Sequence, residues 1–215
     1  MFPGLFIVID GTDGSGKQTQ TALLVERLKK EGYPVKTIDF PQYETKSAGM
    51  VENYLEGKYG KQLTAQQASV LFAVDRFDAS FAIRTWLAEG AIVVADRYVT
   101  ANAGHQGTKF KTTEERRSFF DWLLDFEYGT MAIPRPDLNI ILGVEPDITA
   151  ELMKDRVKDI HESDIEHQRL AFQVYQEIAA TFPQTKYISC TEGGQMLSRE
   201  SIAERIWTIV KNAVK

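Results

Sequence analysis

A chain of 215 residues, 43% hydrophobic and 26% charged, has the make-up of a globular protein and is long enough to bury a sizeable core without metals or disulfides. Its formal net charge of −5 argues against nucleic acid as the main partner, but not against small anions, because a few cations focused in a cleft outweigh the global balance. A single cysteine, Cys190, excludes an intramolecular disulfide, no apolar run approaches the ~20 residues that span a bilayer, and the opening MFPGLFIVIDG lacks a basic leader; the expectation is a cytoplasmic protein without a membrane partner.

In chain order, Leu5–Asp10, Val35–Phe40, Ala91–Asp96, Leu138–Val144 and Lys186–Ser189 read as buried strands, four to seven residues long and bounded by Gly, Pro or Asp. Helical patterns fill the intervals at about 17–31, 47–57, 64–89, 112–128, 147–182 (broken) and 199–214, the last with a cap at Ser198 and a stripe of Ile202, Ile206, Ile209 and Val210. This alternation predicts one α/β domain over 1–215: a doubly wound, five-stranded parallel sheet with helices on both faces. Lys154–His167 is charge-rich without an apolar run, which fits either a mobile lid at about 147–165 or a solvated helix face.

The strongest local signal directly follows the first strand. Gly11, Thr12, Asp13, Gly14, Ser15, Gly16, Lys17, Gln18 and Thr19 match Gly-x4-Gly-Lys and open a helix. Glycines there let backbone N–H groups turn around phosphate oxygens, the helix adds its positive end, and Lys17 adds a formal charge. Gln18 stands where Ser or Thr usually reaches Mg²⁺, and Thr19 follows. A second cluster, Asp96-Arg97-Tyr98, ends a buried strand, where open parallel sheets bind ligands. There Asp96 is placed to orient hydrated Mg²⁺ and Arg97 to clamp a phosphate. A phosphate acceptor needs no general base, only alignment and positive charge; Lys17, Arg97 and the lid candidates Lys154, Arg156 and Lys158 fit ATP-dependent phosphoryl transfer between nucleotides.

With these motifs in hand, the chain resembles the thymidylate kinase family over nearly its whole length. The resemblance rests on Asp10-Gly-Thr-Asp-Gly-Ser-Gly-Lys-Gln-Thr-Gln20, Phe40-Pro-Gln-Tyr43, Leu71-Phe-Ala-Val-Asp-Arg76, Asp96-Arg-Tyr98 with Asn102, and Pro134-Arg-Pro-Asp137. It implies transfer of the γ-phosphoryl of ATP to dTMP with Mg²⁺, and a homodimer formed through helices such as 64–89. It also implies a dTMP pocket of Asp13, Phe40, Pro41, Tyr43, Phe72, Arg76, Arg97, Asn102 and His105. Phe72 would stack on thymine, Arg76 donate to a thymine carbonyl, Asn102 contact the base edge, and Asp13 lie near the acceptor sugar and the metal. Asp96, Thr19 and Asp13 are the metal candidates. Lys17, Arg97, Asp13 and, with Gly14 in the loop, a lid cation (Arg156 before Lys154) are the catalytic candidates.

Two departures from the family pattern stand out. Gln42 and Tyr43 occupy the neighbourhood where relatives often carry a phosphate-holding arginine, leaving Lys46 or Arg97 for that duty. His105 stands where many relatives have a tyrosine near the sugar 2′ position. Phe40-Pro41 follows strand two, where deoxynucleoside kinases usually carry a carboxylate, which counts against that class of acceptor. Topology alone places Thr191–Gln195 near adenine. Another deoxynucleotide or deoxynucleoside acceptor, and a nucleotide-binding regulator without turnover, stay open at this point.

Overall fold

A computed structural model describes residues 4–60, 62–152 and 165–214. Five parallel strands, β1 (Leu5–Gly11), β2 (Val35–Asp39), β3 (Ile92–Asp96), β4 (Leu138–Gly143) and β5 (Thr185–Ser189), form one sheet in the order β2-β3-β1-β4-β5. From β1 the chain first builds toward β3 and β2, then toward β4 and β5. The order therefore reverses at β1, and a crevice opens beyond its C-terminal end.

Strand side chains alternate between two faces. Phe6 and Val8 of β1, Val93 and Ala95 of β3 and Ile141 of β4 enter one core with Ile83, Tyr98, Phe119, Phe120, Leu123, Val174 and Tyr175. Ile7, Ile9, Val94, Ile140 and Leu142 enter a second with Leu24, Leu28, Ile202, Ile206 and Val210. Helices α3 (Ala65–Ala88), α4 (Val99–Gly107), α5 (Thr113–Asp125) and α7 (Ile165–Thr181) supply the first layer; α1 (Lys17–Lys30) and α8 (Arg199–Ala213) supply the second, while α2 (Gly49–Leu55) packs on α3 and α6 (Pro146–Leu152) on α7. Full capping boxes, Thr64 with Gln67 and Thr112 with Glu115, fix the starts of α3 and α5.

The five strands stand within a residue of their expected bounds, but β2 is not buried, and in β5 only Ile188 is, with Lys186 exposed. Lys36, Thr37 and Asp39 are exposed because β2 is an edge strand covered less than the centre. The expected helix 112–128 changes character, ending as α5 and continuing as a π-helical turn, Phe126–Thr130. Two elements were not anticipated: α4, and a small hairpin of β6 (Thr191–Glu192) and β7 (Gln195–Met196). The candidate lid, with Lys154, Arg156 and Lys158, falls largely on 153–164, outside the described residues. Among the described residues, no helix is long and apolar enough to cross a membrane.

Candidate active site

The loop after β1 is shaped by its glycines. Gly11, Gly14 and Gly16 have φ of 145°, 76° and 84°, and a Cβ on Gly11 would stand 2.2 Å from the Leu142 carbonyl oxygen. The Lys17 ammonium donates to the Gly11 and Thr12 carbonyls at 3.1 and 2.9 Å and lies 3.6 Å from Asp13. Thr12 Oγ1 and Ser15 Oγ are buried hydroxyls without a partner among the described residues, so the loop holds donors in reserve beside its N–H groups.

Behind the loop, Asp10 anchors three elements. Its carboxylate accepts from the Gly11 N–H (2.7 Å), Thr100 Oγ1 of α4 (2.5 Å) and the Tyr175 hydroxyl of α7 (2.9 Å). Burial pushes the Asp10 carboxyl upward, opposed by Arg97, Thr100, Lys17 and Gly11.

At the end of β3, Arg97 holds the left-handed conformation (φ 66°), a strained state for a non-glycine residue. Its N–H donates to the Ile9 carbonyl at 2.9 Å, which secures the turn. The guanidinium pairs with Asp13 and meets His105 Nε2 at 3.2 Å. Burial alone would raise the Asp13 carboxyl, but Arg97, Lys17 and His105 together hold it well below the usual carboxylate range. Asp96, beside them, is pushed upward by burial against the pull of Lys17 and Arg97, and its Oδ1 is buried without a partner among the described residues.

Two cavities meet here. The larger, about 720 Å³, is lined by Asp13 through Gln20, by Asp39 and Asp96, and by Met196, Leu197, Ser198, Arg199 and Ile202. Gln20 Nε2 donates to the Arg199 carbonyl at 3.0 Å and so ties the phosphate-loop helix to that far wall. The smaller cavity, about 220 Å³, receives all nine residues expected of an acceptor pocket: Asp13, Phe40, Pro41, Tyr43, Phe72, Arg76, Arg97, Asn102 and His105. Asp13, Phe40, Pro41, Tyr43 and Arg97 border both. Thr191–Gln195 lines neither; the far wall comes from the residues just after it.

Sequence reasoning missed the groups that hold the site residues in place. Arg76 is buried and forms a two-pronged pair with Glu127, Nε to Oε2 at 2.9 Å and Nη2 to Oε1. Glu127 sits on the π-helical turn, flanked directly by Phe126 and Tyr128, and an acid set between two aromatics was the available signal. Gln42 is occupied by Asp75: its N–H and amide reach the Asp75 carboxylate at 2.9 and 3.0 Å, and Ser47 Oγ adds a donor at 2.9 Å. Of the two cations proposed to hold the acceptor phosphate, Arg97 borders both cavities and Lys46 borders neither.

One chamber floored by a phosphate loop, opening onto a second sized for a single ring, is what transfer between two small ligands requires. The fold and site define a P-loop kinase with a small-molecule acceptor. The family model described as thymidylate kinase matches residues 9–202. A thymidylate kinase of Mycobacterium tuberculosis is 29% identical over 185 residues, covering 82% of this chain and 86% of its own, and one of Plasmodium falciparum is 30% identical over 176 residues, covering 82% and 78%. The solved thymidylate kinase of Candida albicans shares the fold, with a TM-score of 0.76 at 23% identity over 98% of this chain and 92% of its own. The chain belongs to the thymidylate kinase family, and with it to the ATP-dependent nucleoside monophosphate kinases.

Proposed function

We propose that the protein transfers the γ-phosphoryl group of ATP to dTMP, giving dTDP and ADP, with ATP in the larger cavity and dTMP in the smaller. The observation that carries this reading is the position of Arg97 and Asp13 on the border of both cavities, where the two phosphates must meet. The loop amides and Lys17 cradle the donor phosphates. Arg97, held by Ile9 and Asp13, offsets the charge of two approaching anions, while Phe72 and Phe40 supply apolar surface for the acceptor. A monoester phosphate attacks without a proton to remove, so the site's task is alignment.

Mg²⁺ fits the residues present. Asp96 offers an orphaned buried oxygen and Thr19 a hydroxyl in the same cavity. Among the described residues no three His, Cys, Asp or Glu side chains form a metal cluster, so such an ion would be held mainly by phosphate oxygens and water. Its chemistry would be to neutralise charge on the β- and γ-phosphates. Asp13, already engaged by Arg97 and Lys17, serves better as an orienter of those cations than as a ligand. The arrangement is a homodimer paired through an apolar stripe on α3, and buried Cys190 suits a reducing cytoplasm.

The test is ADP release with ATP and Mg²⁺ against dTMP, dUMP, dCMP, dGMP, AMP and thymidine. Preference for dTMP is the expected result, and Lys17→Ala should lower kcat by about 10²–10³-fold. Preference for thymidine would overturn the acceptor, and absence of any turnover would overturn the reaction.

A further inference from the structure

The floor of the smaller cavity is a polar network with one carboxylate at its centre. Glu127 is fully buried and does not itself line the cavity. Its two oxygens take Nε and Nη2 of Arg76, and Oε1 also accepts from Asn102 Nδ2 at 3.2 Å. The second N–H of the same amide goes to the Ser69 carbonyl at 3.2 Å. Both partners of Asn102 Nδ2 are acceptors. A flipped amide would set its oxygen against the Glu127 carboxylate and the Ser69 carbonyl, two repulsions in place of two hydrogen bonds. The orientation is therefore dictated by chemistry, and Oδ1 is left buried without a partner among the described residues. Arg76, with Nε and Nη2 turned to Glu127, keeps Nη1, whose contact with the Tyr98 carbonyl is long at 3.5 Å.

We propose that Glu127 is a positioning residue that sets the donor–acceptor pattern read by the acceptor pocket. By orienting Asn102 and Arg76 together it presents one acceptor and one donor, which selects a 4-oxo pyrimidine bearing N3–H over a 4-amino pyrimidine. A thymine or uracil edge offers N3–H as donor and O4 as acceptor, and matches both groups. Cytosine offers N3 as acceptor and an amino group as donor, and mismatches both. The inference rests on the smaller cavity being the acceptor-base pocket.

The experiment is steady-state kinetics on the full chain with ATP, Mg²⁺ and dTMP, dUMP or dCMP, comparing the parent protein with Glu127→Gln and Glu127→Asp. A glutamine amide can donate to Asn102, which lets that amide turn its own N–H groups toward the base. Glu127→Gln is expected to raise the KM for dTMP about tenfold or more, with the dTMP-to-dCMP ratio of kcat/KM falling at least as far. The KM for ATP should stay within about twofold. Glu127→Asp, which keeps an acceptor-only partner, should retain more of the ratio. A purely structural role would lower kcat for every acceptor alike; a folded Glu127→Gln protein with the parent's acceptor ratio overturns the proposal. Should that variant not fold, the Asn102 side-chain amide of the parent, assigned by its loss in Asn102→Ala, supplies a second reading by ¹⁵N NMR. Slow exchange before and after dTMP addition supports the assignment, and exchange that is fast in the free protein overturns it. A parent protein with no preference between dTMP and dCMP overturns the pocket reading itself, whatever Glu127 does.

Discussion

Arg76 and Glu127 show why a site residue cannot be weighed apart from its partner. Both are almost wholly enclosed, at 2% and 0% exposure, so each owes its tolerance of burial to the other. Removing one partner of such a pair strands the other charge and typically costs about 3–5 kcal/mol, whereas replacing both by apolar side chains is often close to neutral. Arg76→Ala is therefore expected to lose about 3–5 kcal/mol of stability in denaturant titration, as well as weakening dTMP more than ATP. The double change Arg76→Met with Glu127→Leu should recover most of that stability and none of the dTMP affinity. If the double variant is as unstable as the single one, the pair is not the source of the loss. If it keeps dTMP affinity, Arg76 does not read the base.

At the scale of elements, α4 lines the smaller cavity and, through Thr100, reaches Asp10 behind the phosphate loop, and it is also the piece that sequence patterns hide. Val-Thr-Ala-Asn-Ala-Gly-His-Gln-Gly has a β-branched start, an internal glycine and a terminal one, all weak helix formers. Eight of its nine residues are buried, so no polar face marks a helical period. Its glycines serve close packing. A Cβ on Gly104 would stand 2.6 Å from Tyr175 Cζ, and that ring carries the hydroxyl that bonds Asp10 behind the phosphate loop. Gly104→Ala must push Tyr175 aside, with an expected cost of about 1–3 kcal/mol in thermal unfolding. The KM for ATP should rise as Asp10 loses a donor. A variant with the parent's melting temperature and ATP KM would show that α7 can shift freely.

The same contrast explains what could be read in advance. Strands β1 and β3 announce themselves by continuous Val and Ile, and the phosphate loop by its glycines, because those constraints are local. The nine residues expected of an acceptor pocket all line the smaller cavity. Asp10, Asp75, Glu127 and Tyr175 were not singled out because their roles arise from contacts up to 165 positions away, between Asp10 and Tyr175, and no local pattern records such a pairing. Arg156 and the lid lie outside the described residues, so the structure adds nothing to that expectation.

Across the whole molecule, α3 is where the pocket and the proposed dimer meet. One side of this helix carries Phe72 and Arg76 into the smaller cavity. Another exposes Val70, Val74, Phe77 and Phe81 at spacings of four, three and four, a continuous apolar stripe beside the exposed Asp78 and Arg84. Phe77 and Phe81 stack edge to face with centroids 5.4 Å apart, and Phe81 is the most exposed large apolar side chain in the described residues, at 63%. A two-fold partner would bring the same stripe against itself. Phe81→Asp places a charge at its end and repels the partner's copy, so sedimentation should show half the parent's mass with the circular dichroism unchanged. An unchanged mass would remove the stripe from the interface. Because the same helix also sets the acceptor pocket, separation of the subunits should raise the KM for dTMP more than that for ATP. Equal shifts in the two would mean that α3 is held in place by its own core, through Ala79 and Ile83, and needs no partner to shape the site.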